Sequence, residues 1–99
     1  VEQNNSKAAQ LYSNAADLGT AEAMFSLGRM YYFGEGVQQN YTKAAEWLQE
    51  AADLGLLVAM NCLGNMYHEG LGVQKNHNKA AQFYSKAADL GDATGMLYL

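Results

Sequence analysis

Neither proline nor isoleucine occurs in the 99 residues of this chain. With only four Val and three Thr besides, little in it favours strands and nothing breaks a helix from within. An all-α protein is predicted. The single cysteine, Cys62, excludes an internal disulfide framework and a cysteine metal cluster. Basic residues are also few. Six Lys and Arg stand against ten Asp and Glu, a net charge of -4 without a basic cluster, which argues against a nucleic-acid or anionic-membrane surface. No apolar run is long enough to insert into and span a membrane, and Val1 opens no signal-peptide pattern.

The apolar content comes instead from sixteen Ala, seven Tyr and five Met, a set suited to thin, closely packed helices. It is also periodic. The stretch KAAEWLQEAADLG, residues 43–55, has counterparts starting at Lys7 and Lys79 and ending at Gly19 and Gly91, a constant step of 36 residues. Such a step implies stacked units, each covering its neighbour's apolar face. Val1, Val37 and Val73 coincide in register, giving units 1–36 and 37–72 and a partial unit 73–99 within one domain, 1–99. The odd points at which the chain begins and ends in the repeat suggest a fragment of a longer chain.

Each unit opens on a polar lead ending in Asn4, Asn40 or Asn76, which can cap a helix; Ser6, Thr42 and Asn78 can do so two residues later. The helix after this lead, about 41–54 in the middle copy, gathers Ala44, Leu48, Ala51 and Ala52 on one face. Trp47 (Leu11 and Phe83 elsewhere) and Leu48 (Tyr12, Tyr84) supply its bulk. Gly19, Gly55 and Gly91 are placed to stop it. A second helix is expected over about 20–33 and 57–69, with a partial copy from about Asp92; Met24, Leu27 and Tyr31, then Met60, Leu63 and Tyr67, form its packing face. Gly28 and Gly64 interrupt that helix at about 1 kcal/mol each relative to Ala. Backbone contact with an Ala-rich neighbour is the expected compensation.

The string LGxMYxxGxGVxxN…KAAxxxxxAADLG, present over 27–55 and again over 63–91, resembles the Sel1-like repeat. Tetratricopeptide repeats share its helix-pair logic, but the step of 36, the Gly-x-Gly loop and the missing Pro set this chain apart from them. The resemblance implies an α/α solenoid, or superhelix, of helix-turn-helix units. It further implies an adaptor or scaffold whose second helices, 20–33 and 57–69, line the concave side. Asn40 and Asn76 stand where that family usually has an acidic residue, without harm to capping. One cysteine does not fit its disulfide-rich bacterial branch.

Chemistry is sparse. Gly34-Glu35-Gly36 and Gly70-Leu71-Gly72 come after helices rather than strands and precede no GK[ST], so they are not phosphate loops. His68 and His77 lack a helical ligand spacing, and no metal or other cofactor is expected. Cys62 aligns with Ser26 and Tyr98 and reads as a half-buried filler rather than a nucleophile. Asp17, Asp53 and Asp89 oppose the helix dipole, which implies a structural partner: the next helix's N–H groups or a lysine such as Lys43. Asn4-Asn5-Ser6 and Asn40-Tyr41-Thr42 fit the N-glycosylation pattern, and helix capping recruits the same residue types.

The candidate binding residues are those that differ between copies of the second helix: Glu22, Phe25, Arg29 and Tyr32; Val58, Asn61, Asn65 and His68; Thr94 and Leu97. They step three, four and three, forming a stripe apart from the packing face. Phe25, Arg29 and Tyr32 are types favoured as interface anchors, and exposed aromatics on one stripe need a reason. The expectation is a non-catalytic module binding another protein or peptide in a groove made by these stripes. Two other readings compete: an accessory repeat region of an enzyme, and a self-associating piece joined end to end through the apolar, uncapped Met96-Leu97-Tyr98-Leu99.

Overall fold

The computed structural model describes residues 2–17 and 19–93. Among them are five helices and no strand: α1 (Glu2–Asp17), α2 (Ala21–Phe33), α3 (Tyr41–Asp53), α4 (Leu57–Glu69) and α5 (His77–Ala93). Extensive packing is confined to consecutive helices, closest within the pairs α2–α3 and α4–α5, as stacked helical hairpins require. None of these helices is long and apolar enough to cross a membrane.

The turn from α3 to α4 arises at Gly55. At φ +92° it occupies the left-handed region; its N–H reaches the Ala52 carbonyl at 2.9 Å and that of Leu56 the Ala51 carbonyl at 3.1 Å. These two bonds close a Schellman motif, and Gly19 with Thr20 repeats them on Ala16 and Ala15. Gly91 does not. α5 continues through it to Ala93, where a helix end and a new helix from Asp92 were expected. Glycine permits either state.

Asn40 and Asn76 cap α3 and α5, each accepting the N–H of a lysine three residues on, Lys43 and Lys79, at 3.0 Å. Their own N–H groups donate to the carbonyls of Tyr31 and Tyr67 at 2.8 and 2.9 Å, tying each cap to the preceding helix. Asn4 lies inside α1 instead. Lys43 and Lys79 sit over the rings of Tyr31 and Tyr67, 5.4 and 5.1 Å from their centres. The expected partners of Asp53 are therefore not the ones found: it accepts from Gln49, one turn back on the same helix, at 2.9 Å. Ser13 and Ser85 replace Gln49 in the other copies, so this bond does not account for the repeated aspartate.

The core is built of Ala, Met and Leu. Met24, Leu27, Met30, Leu48, Met60, Leu63 and Met66 are buried among alanines of α2, α3 and α4, and Tyr31 and Tyr67 pack against them half-buried. Gly28 and Gly64 are seats for bulky side chains of the next helix, and at Gly28 the expected backbone contact with the Ala-rich α3 is present as well. A Cβ on Gly28 would meet Leu48 at 2.8 Å, and one on Gly64 would meet the Tyr84 ring at 2.5 Å. That backbone contact is the Ala44 carbonyl oxygen at 3.3 Å.

Candidate protein-binding groove

Because α3 lies between α2 and α4 in sequence and packs on both, those two helices face each other across a seam floored by Leu48. The seam opens as a groove of about 210 Å³ lined by Arg29, Tyr32 and Phe33 of α2, Leu48 of α3, and Cys62, Asn65 and Met66 of α4. Its wall is mostly apolar, with Arg29 as its cation. This arginine is the only one in the chain.

Three of the ten stripe residues, Arg29, Tyr32 and Asn65, are brought together here. Glu22, Val58, Asn61 and His68 are exposed on α2 and α4 outside the groove lining, and Thr94 and Leu97 lie outside the described residues. Phe25 and Tyr32 are not the freely exposed aromatics expected. Both are half-buried against the core. Tyr32 contacts Phe33 and Tyr41 edge-on, with ring centres 4.9 and 5.1 Å apart, because its end of α2 abuts the start of α3. Asn65 is also engaged: its Oδ1 accepts from the Tyr84 hydroxyl at 2.5 Å, leaving the amide nitrogen to donate to a ligand.

Cys62 lines the groove without the electrostatics of a nucleophile. Burial pushes its thiol up, with the Arg29 charge pulling the other way as the lesser effect. It stays protonated at neutral pH, and a thiol in that state packs rather than attacks. Phe33, Leu48, Cys62 and Met66 were not among the stripe residues. Two left a signal in the sequence, since Phe33 aligns with Glu69 and Cys62 with Ser26. Leu48 and Met66 carried none, because they read as core. Among the described residues no group of three or more His, Cys, Asp and Glu could hold a metal. His68 and His77, nine residues apart in sequence, are in contact.

The family model of the Sel1 repeat matches residues 1–20, 21–56 and 57–92. The latter two blocks coincide with the closely packed pairs α2–α3 and α4–α5. Similar solved structures include a protective antigen of uropathogenic Escherichia coli displaying an SLR fold, 35% identical with a TM-score of 0.85, covering 87% of this chain. A Sel1 repeat protein from Oxalobacter formigenes is 31% identical with a TM-score of 0.82, covering 84%. Helicobacter pylori cysteine rich protein B is 33% identical with a TM-score of 0.80, covering 90%. The chain spans 18%, 63% and 68% of these three proteins. No curated protein matches it significantly.

Proposed function

We propose that this chain, which belongs to the Sel1 repeat family, binds a segment of another protein in the groove between α2 and α4. Sel1 repeat proteins are in general non-catalytic scaffolds for protein interactions, and an apolar groove with one cation supports reading that role here. One observation carries the reading: Arg29, the sole arginine, stands at the rim of an apolar groove whose floor is closed by Leu48. A guanidinium there offers a two-pronged contact to a carboxylate. Phe33, 60% exposed, offers apolar contact beside it. At about 210 Å³ the space falls below the usual 300–1,000 Å³ of small-molecule sites. It suits one large side chain of a peptide. The ligand is thus an acidic segment with an apolar residue next to a carboxylate.

The test is selection of peptides from a random display library on the folded chain, followed by affinity measurement against Arg29→Glu and Phe33→Ser. Both side chains are solvent-exposed, so helicity and melting should hold. Acidic peptides losing about tenfold or more in affinity with either variant support the groove, about 1.4 kcal/mol per tenfold. Selected peptides that bind both variants at full strength refute it.

Self-association is the second reading, favoured by α1. Leu11 is 67% exposed, although its counterparts Trp47 in α3 and Phe83 in α5 are half-buried against the core. Sedimentation of wild type against Leu11→Ser with Tyr12→Ser distinguishes it: a concentration-dependent mass that the double variant abolishes supports assembly, and a strict monomer excludes it.

A further inference from the structure

His68 lies in the last turn of α4 and His77 begins α5, and both side chains are exposed. Their Nδ1 atoms are 3.2 Å apart. The span between them is held by three backbone bonds: Gly70 N–H to the Met66 carbonyl at 2.7 Å, Leu71 N–H to the same oxygen at 3.0 Å, and Asn76 N–H to the Tyr67 carbonyl at 2.9 Å. With the Asn76 cap on Lys79, both histidine backbones belong to one rigid corner.

We propose that His68 and His77 form a two-histidine chelate for a late first-row divalent cation. The separation fits. Two nitrogens at about 2.1 Å from one cation lie about 3.0 Å apart at a right angle and about 3.4 Å apart at a tetrahedral one, and 3.2 Å falls between. The rings now meet at 72°, and rotation about the soft sp³–sp² torsion of each turns both lone pairs toward one point. Exposure leaves both rings open to a hydrated cation, which exchanges two of its waters for imidazole nitrogens and keeps water at its other positions. Imidazole nitrogen selects Cu²⁺, Ni²⁺ and Zn²⁺, with Cu²⁺ bound tightest. The ends of α4 and α5 meet here with opposite dipole signs, so helix dipoles contribute little net.

The preceding hairpin provides the control. The same repeat positions hold Tyr32 and Tyr41, also edge-to-face, with ring centres 5.1 Å apart against 4.9 Å for the histidines. The corner therefore accepts an aromatic pair without ring nitrogens, and replacing both histidines by tyrosine preserves its packing while removing the ligands.

The experiment is calorimetric titration of the tag-free chain with CuCl₂, NiCl₂ and ZnCl₂, alongside His68→Asn, His77→Asn and the double variant His68→Tyr with His77→Tyr. The expected result is one equivalent bound, Cu²⁺ tightest, with affinity falling about tenfold or more in each single variant and in the tyrosine pair. Melting of the metal-free tyrosine pair should match wild type. Absence of saturation at one equivalent below about 1 mM overturns the proposal. So does an affinity that the double variant leaves unchanged, or one that depends on only one of the two histidines.

Discussion

Replacing Gly28 by alanine puts helix propensity and packing in direct opposition. Propensity alone favours Ala inside a helix by about 1 kcal/mol. The added Cβ, however, would lie 2.8 and 2.9 Å from Leu48 Cγ and Cδ2 and 3.3 Å from the Ala44 carbonyl oxygen. Leu48 is only 2% exposed and cannot swing away, so α2 and α3 must separate. Overpacking of this kind costs about 1–3 kcal/mol, and backbone on one side places it toward the upper end. The net expectation is a loss of about 1–2 kcal/mol, a fall in Tm of about 5–15 °C for a chain of this size. At Gly64 the obstruction is the Tyr84 ring, which is 37% exposed and can rotate out. It would forfeit the Asn65 hydrogen bond, worth about 1 kcal/mol, and propensity would offset that loss, so Gly64→Ala should lie within about 1 kcal/mol of wild type. Thermal and urea unfolding of both variants, and of Gly28→Ala in a Leu48→Ala background, check the reasoning. With Leu48 truncated, Gly28→Ala should become stabilising, a reversal of sign in the double-mutant cycle. A Gly28→Ala protein that melts above wild type, or one whose penalty survives Leu48→Ala, would refute the seat.

Gly55 and Gly91 occupy the same repeat position, and alanine should act oppositely on them. Gly55→Ala forces a side chain into the left-handed region with nothing within 4 Å of its Cβ, so backbone strain alone costs about 1–2 kcal/mol. Gly91→Ala enters a helix with Leu57 at an ordinary 3.6 Å and should gain up to about 1 kcal/mol; unfolding of the two variants in parallel reads the difference. Cys62 should react with Ellman's reagent more slowly than a free thiol, and Arg29→Ala should slow it further, because it removes the charge that opposes burial. A thiol pushed up in the folded state favours folding below the unfolded value of about 8.5 and loses that contribution as pH rises through the folded one. Wild type should therefore lose stability above about pH 8.5 in a way that Cys62→Ala does not, measurable by urea unfolding between pH 7 and 10.

The sequence by itself determined the helices, their pairing order and most of their ends. The 36-residue step, the Asn caps and the spacing of Met24, Leu27 and Tyr31 are local signals, and periodicity reports which face a helix turns inward. Local signals failed where a choice depended on neighbours. Ala-Asp-Leu-Gly is written three times, yet it ends α1 and α3 and is continuous in α5, since glycine tolerates both the helical and the left-handed state. The stripe of variable residues marked Arg29, Tyr32 and Asn65, but the periodicity of one helix cannot say which residues of two helices share a seam. Only the tertiary structure placed Leu48 and Met66 in its wall, half-buried Phe25 and Tyr32, and engaged Asn65 with Tyr84. The same holds for His68 and His77. Their spacing fits no ligand motif, and a hairpin turn, which brings the ends of two helices together, set their nitrogens side by side.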